Sequence, residues 1–235
     1  MHRSMVTLPR IVVRKARHFA HDPIGTTRNQ PHRIRAAISQ WHLARNGVLD
    51  VVRGFQRLRP AHATTGDLGD WWFLYKKIRE RHPKLILGFG SGNTTVVQAQ
   101  ALYDNRHGGR LLSIDASPGW AASTRSCMPE HLQSLVEVIY GPLVEVEEYG
   151  VKGWRHQNVP WIAPNFVYLD GPELTRERQV AVDLLALEEA FPPDFFLVID
   201  DRQANTRFLR DHFKRRYKFT SRKYRGANPT FELIE

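Results

Sequence analysis

Cysteine is almost absent from this sequence. Cys127 is the only one in 235 residues, so an intrachain disulfide and a cysteine-based zinc site are both excluded. A single thiol fits a reducing compartment, and a cytoplasmic location is the expectation. No run of about 18 apolar residues occurs, so no transmembrane helix is expected. The start of the chain lacks the uninterrupted apolar core of a signal peptide. Acidic residues are scarce at one end. Residues 1–60 hold 12 of the 34 Lys and Arg but only Asp22 and Asp50 of the 24 Asp and Glu, which leaves 22 of each sign beyond them. The net charge of +10 therefore belongs to the first quarter. What is present in quantity is apolar: 42% hydrophobic and 11% aromatic residues suffice for a core. The length suits one domain plus an extension.

The most informative stretch runs from Lys84 to Thr95, K-L-I-L-G-F-G-S-G-N-T-T. Leu85-Ile86-Leu87 is a short apolar run, Gly88, Gly90 and Gly92 follow at alternate positions, and Thr94 to Val97 open a helical segment. The pattern predicts a strand, a glycine-rich turn and a helix start. Glycine lets another molecule approach the backbone, and the helix start offers unpaired N–H groups. Two readings remain open: a nucleotide-type ligand site on a parallel sheet, or a tight turn whose glycines serve packing. A dinucleotide fingerprint fails on spacing, because the third glycine would fall on Asn93 or on Thr95. Leu111 to Ile114 reads as a second strand closed by Asp115. Its carboxylate suits ribose hydroxyls, although Asp at a strand end also serves as a turn or cap residue.

Residues 1–31 are basic and mixed, an Arg-rich arm or a solvated extension with the Arg-rich, acid-poor composition of a transit peptide. Ile34, Ala37, Ile38, Trp41, Ala44, Val48, Val51, Val52 and Phe55 mark an amphipathic helix or helix pair broken near Asn46-Gly47. Arg35, Arg45, Arg53, Arg57 and Arg59 fall largely off that stripe. They form either a solvated face or one for nucleic acid or an anionic membrane surface, and few aromatics interleave them for base stacking. Residues 60–66 read as a linker, and Asp70 as the N-cap of a helix to Arg81. Trp71 and Trp72 would pack that helix or stack on a substrate. Further helices are predicted over 117–127, 176–190 and 206–213, and strands over 135–140, 143–149, 166–169 and 195–199. The segments 217–221 and 230–234 form a closing hairpin. Residues 151–164 read as a polar insertion, with His156 as a loop histidine or a base. Strands 166–169 and 195–199 end at Asp170-Gly171-Pro172 and Asp200-Asp201-Arg202. Strand ends line the ligand crevice of open α/β sheets.

With these motifs the chain resembles the class I S-adenosylmethionine-dependent methyltransferases, in particular a small bacterial group whose strand ends read FGSG, DGP and DD. The resemblance covers residues 69–235. It implies an α/β fold: a Rossmann-like, seven-stranded, mostly parallel sheet with helices on both faces and a C-terminal antiparallel hairpin. The basic, helical extension, residues 1–62, would precede a methyltransferase-like domain, residues 63–235. S-adenosylmethionine is the implied cofactor, held by Gly88, Gly90, Ser91, Gly92, Asn93, Thr94, Asp115 and Ala116. Gly88 stands where the family usually has Glu or Asp to hold the cofactor's amino end. Asp170 is the implied base or acceptor-orienting group, with Asp200 and Asp201 beside it. The three carboxylates could together hold a divalent metal, while Arg202 could relieve their repulsion without one. The acceptor would be a small molecule or a glycan. An inactive methyltransferase-fold binding protein, and nucleic-acid or membrane binding through residues 1–60, are the alternatives. Because the glycine turn and all strand ends lie beyond Pro60, residues 1–60 are expected to be dispensable for cofactor binding.

Overall fold

The computed structural model of the chain describes residues 30–60, 66–173, 175, 180–221 and 228–235, with backbone alone at 30–33. The expectations for the arm 1–29, the linker at 61–65, the helix start at 176–179 and the hairpin tip at 222–227 lie outside the described residues. The framework is one seven-stranded sheet in the order β3-β2-β1-β6-β7-β9-β8. Its strands are β1 (Leu85–Phe89), β2 (Arg110–Asp115), β3 (Val136–Tyr140), β6 (Phe166–Leu169), β7 (Phe196–Ile199), β8 (Tyr217–Thr220) and β9 (Thr230–Leu233). The first five run parallel, and β9 pairs antiparallel with both β7 and β8. Leu87 sits beside Leu112 and Val167, and Phe89 beside Ile114 and Leu169. The chain order reverses between β1 and β6, so a crevice opens there above the strand ends.

Strands buried on both faces need apolar residues on both, which is why their sequences run apolar without alternation. Ile86, Phe166, Tyr168, Phe196 and Val198 face one core, and Leu87, Phe89, Ile114, Val167, Leu169, Leu197 and Ile199 the other. The first core is covered by α1 (Gln30–Arg45), α2 (Val48–Leu58), α3 (Leu68–Arg81) and α4 (Asn93–Asn105). The second is covered by α6 (Asp183–Leu187) and α7 (Gln203–His212). A further helix, α5 (Pro118–Cys127), follows β2 behind the N-cap Ser117, whose Oγ accepts from Trp120 N at 3.3 Å. The basic α1–α2 pair is broken at Gly47, φ 73. Its Leu43, Val48, Leu49, Val52 and Phe55 share one buried cluster with Ile86 and Phe166. These helices therefore help to form the core of the sheet domain.

Three local expectations change. Residues 151–156 are not loop: β5 (Val151–His156) pairs antiparallel with β4 (Leu143–Glu148) as a separate hairpin, and Trp154 bridges to Ala181. The period-two alternation of Val151, Gly153 and Arg155 against Lys152, Trp154 and His156 is weak, because a glycine and charged residues occupy it. Over the described residues 180–190 of the helix expected at 176–190, helical structure is confined to α6 and one 3₁₀ turn, Glu188–Ala190. Residues 180–182 are drawn to the hairpin by Trp154 N–H to Val180 O and Val182 N–H to Trp154 O. The N-cap of α3 is Asp67, whose Oδ1 accepts from Gly69 N at 2.6 Å, and Asp70 lies in the first turn.

Candidate active site

The turn after β1 is shaped by the approach of two strand ends. Gly90 has φ 96, and a Cβ on it would lie 3.2 Å from Gly171 N; a Cβ on Gly171 would lie 2.7 Å from Gly90 N. Glycine on both sides lets the β1 and β6 ends touch backbone to backbone. Asp170 N and Gly171 N both donate to Phe89 O, at 3.1 and 2.6 Å. Gly92, φ 150 and ψ −137, caps α4 in a conformation that side chains disfavour, and its N–H donates to Thr95 Oγ1 at 3.0 Å. Ser113 Oγ, on β2, donates to Gly90 O at 2.8 Å and fixes the turn from below.

Asp115 at the end of β2 is the centre of this turn's polar network. Its Oδ2 accepts from Ser91 N at 2.8 Å and Ser91 Oγ at 2.6 Å, and its Oδ1 accepts from Ser117 N at 2.8 Å. A carboxylate has about four acceptor sites, and three of them are filled within the chain.

Above the turn is a cleft of about 360 Å³, lined by Arg59, Gly66, Asp67, Asp70, Trp71, Ser91, Gly92, Asn93, Thr94, Trp120, Asp170 and Asp200. Among the described residues, four carboxylates and one guanidinium thus share a small space. A larger hollow, about 520 Å³, lies at the opposite ends of the central strands, beside Leu85, Arg110 and Val136. None of the strand-end carboxylates reaches it.

Asp170 and Asp200, at the ends of the adjacent strands β6 and β7, both line the cleft. Asp170 is open to the cleft, yet protein crowds it closely. That desolvation, with the repulsion of Asp200 and Asp115 and against the pull of Arg202, pushes its carboxyl up to about 7. Asp200 is held from below: Tyr168 O–H donates to its Oδ2 at 2.7 Å and Asn228 Nδ2 to its Oδ1 at 3.2 Å. Burial and the two carboxylates hold the Tyr168 hydroxyl well above its ordinary range, so it stays a donor. Arg202 does not pair with a carboxylate as the sequence suggested. Its Nε and Nη2 donate to the main-chain carbonyl of Asp170, at 2.8 and 2.5 Å, and Nη2 also to that of Pro172. The guanidinium bonds the backbone of the Asp170-Gly171-Pro172 turn and acts on the carboxylates only through its field. Asp201, exposed with φ 47, is not among the cleft residues. The expected convergence of three carboxylates is therefore one of two. Among the described residues no group of three or more His, Cys, Asp or Glu is placed to hold a metal ion, so the residues present do not supply a ligand set.

Of the cofactor candidates, Ser91, Gly92, Asn93 and Thr94 line the cleft, Gly90 shapes the turn, and Asp115 lies beneath it. Gly88 and Ala116 are not cleft residues. Gly88 lies inside β1, where a Cβ would meet Gln98 and Leu111 at 3.7 to 3.8 Å. His156 is no solvated loop residue: it is 2% exposed, its Nδ1 lies 3.2 Å from Asp183 Oδ2, and its ring lies 5.4 Å from that of Phe89. Trp71 is buried and also forms cleft wall, whereas Trp72 stacks on His42. Sequence reasoning missed Arg59, Asp67 and Trp120 as cleft residues. Arg59 looked like one more charge at the end of a basic helix, and only the packing of α2 on α4 carries it to Gly92.

Among solved structures, an O-methyltransferase from Bacillus cereus in complex with SAH aligns over 86% of this chain and 99% of its own, with 16% identity and a TM-score of 0.53. A methyltransferase from Geobacter sulfurreducens aligns over 80% of this chain and 90% of its own, with 14% identity and a TM-score of 0.54. The O-methyltransferase TomG from Streptomyces achromogenes, in complex with SAM, aligns over 80% and 90%, with 16% identity and a TM-score of 0.50. At such identities the likeness is one of fold. No curated protein matches the chain. The model of the methyltransferase-domain family matches residues 85–202, from the start of β1 through the Asp200-Asp201-Arg202 turn. That match takes in half the chain and all the strand ends around the cleft, and on it the protein belongs to the methyltransferase-domain family.

Proposed function

We propose that the chain transfers a methyl group from S-adenosylmethionine to a hydroxyl or amine of a small-molecule or glycan acceptor, with Asp170 as the base. S-adenosylmethionine supplies, when bound, an electrophilic methyl on a sulfonium, together with an ammonium and a carboxylate. The cleft suits that set of charges: four carboxylates can face two cations, and one guanidinium can face one anion. Ser91, Gly92, Asn93 and Thr94 would lie along the amino-acid part, and the carboxylate of Asp115 would take a ribose hydroxyl. The sheet positions these groups rigidly, so the acceptor can be held in line with little reorganisation.

Asp170 carries the proposal. A base poised near the working pH takes a proton most effectively, and the Asp170 carboxyl is pushed up to about 7 while open to the cleft. It accepts the acceptor's proton, Arg202 holds its backbone in place, and Asp200, tied to Tyr168 and Asn228, keeps it basic. Calorimetric titration of the full chain with S-adenosylmethionine and S-adenosylhomocysteine tests the cofactor half. The expected result is saturable heat with both. No heat and no thermal stabilisation at millimolar concentration removes the reading.

A further inference from the structure

Arg59 is the C-cap of α2 and leaves the helix in an extended conformation, φ −92 and ψ 159. Its guanidinium carbon lies 5.1 Å from the Phe55 ring centroid and 4.6 Å from that of Trp120. Phe55 is buried in the core beneath α2, and Trp120 stands in the first turn of α5. Two rings from separate elements therefore hold one cation by its faces. Its edge points over the glycine turn: a Cβ on Gly92 would lie 3.0 Å from Arg59 Nη1. Among the described residues no hydrogen bond or ion pair reaches this guanidinium, and its Nε is buried without an acceptor. Aromatic faces stabilise the charge but accept nothing from N–H groups in the guanidinium plane. Buried donors without acceptors are costly, and a planar fork of donors matches the two oxygens of a carboxylate. Among the described residues Arg59 is the only cation in the cleft wall, which it shares with Asp67, Asp70, Asp170 and Asp200. The 13-residue α4 begins at the same place, and its N-terminal dipole favours negative charge there.

We propose that Arg59 binds the carboxylate at the amino-acid end of the cofactor, so that the basic helical segment before the sheet forms part of the cofactor site. The proposal rests on the cofactor reading above. It reverses the sequence expectation that residues 1–60 are dispensable for cofactor binding. The acids of the cleft then take the ammonium and the sulfonium, and the ligand's three charges are each met by the opposite sign. Phe55 and Trp120 give Arg59 a fixed orientation, which limits the side-chain entropy lost on pairing.

The test uses the full chain and four probes: S-adenosylmethionine, S-adenosylhomocysteine, decarboxylated S-adenosylmethionine and 5′-methylthioadenosine, which lacks the amino-acid end. Arg59→Gln is expected to weaken S-adenosylhomocysteine about ten- to a hundredfold. The affinity for methylthioadenosine should stay within about twofold, the control for a native fold. Wild type should bind decarboxylated S-adenosylmethionine more weakly than the intact cofactor by a similar factor, and Arg59→Gln should no longer distinguish the two. Arg59→Lys, which keeps the charge and loses the fork, should fall between. Unchanged S-adenosylhomocysteine affinity in Arg59→Gln overturns the proposal alone. Equal losses for S-adenosylhomocysteine and methylthioadenosine also overturn it, because Arg59 would then only support the turn. If wild type binds neither S-adenosylmethionine nor S-adenosylhomocysteine, the cofactor reading falls and takes this proposal with it.

Discussion

Replacing Asp200 by Asn asks how the base is tuned. Three causes raise the Asp170 carboxyl to about 7: desolvation is the largest, the charge of Asp200 comes next, and that of Asp115 adds least. The substitution removes only the second. One neighbouring unit charge at an intermediate effective dielectric is worth about one pKa unit, so Asp170 should titrate about one unit lower and still above the ordinary carboxylate range. The substitution is mild for the fold. The new amide oxygen can accept from Tyr168 O–H in place of Asp200 Oδ2. The new amide nitrogen would oppose Asn228 Nδ2, but Asn228 Oδ1 has no hydrogen-bond donor among the described residues, and a turn of that amide pairs the two.

No acceptor substrate is needed for the assay. In protein carrying ¹³C-labelled Asp carboxyls, the resonance lost in Asp170→Asn identifies Asp170, and its midpoint is followed in wild type and in Asp200→Asn. Stability gives a second readout. A carboxyl whose folded pKa lies above its unfolded one binds more protons when folded, so its contribution favours folding at low pH and declines as pH rises from about 4 to about 7. In Asp200→Asn that decline should end about one unit lower. An unmoved or raised Asp170 midpoint would refute the account of the cleft as a pair of repelling carboxylates.

Asp170→Asn should reduce methyl transfer by at least about a hundredfold, the usual worth of a positioned base, while S-adenosylhomocysteine affinity by calorimetry stays within about fivefold. Gly171→Ala puts a Cβ 2.7 Å from Gly90 N. Separating the β1 and β6 ends should cost about 1–3 kcal/mol in denaturant unfolding and weaken the cofactor; unchanged unfolding would mean that the turn is not closely packed. Phe55→Ala removes a ring that is 1% exposed in the cluster joining α2 to the sheet. It should cost about 3–5 kcal/mol in a single unfolding transition, whereas two separate transitions would show that α1–α2 fold on their own.

The sheet was legible because buried parallel strands leave a strong trace. Runs such as Phe166-Val167-Tyr168-Leu169 are apolar on both faces and end abruptly in Asp and Gly. The break at Asn46-Gly47 was legible for a similar local reason, since Gly47 takes the left-handed conformation that ends α1. Features set by distant partners were not. The helical pattern of Val180, Val182, Leu184 and Leu185 gave way where Trp154 took the backbone of residues 180–182 into a hairpin bridge. The Arg202 guanidinium is committed to the carbonyls of Asp170 and Pro172, a choice that depends on the path of the turn rather than on charge.

The cleft shows why an average over the chain misleads about its chemistry. In a protein with a net charge of +10, the described residues of the cleft carry four carboxylates and a single guanidinium. The carboxylates come from both sides of the glycine turn, Asp67 and Asp70 at the start of α3 and Asp170 and Asp200 at the strand ends. Position 88 in β1 adds none, and its Cα faces the packed interior beside Gln98. A carboxylate placed there would have to enter the space now filled by Gln98, which is 1% exposed. Among the described residues the charged groups of the cleft thus come from the strand ends and from the segment before the sheet. The aromatic clamp of Phe55 and Trp120 on Arg59 ties the α1–α2 pair to the site's chemistry as well as to its core.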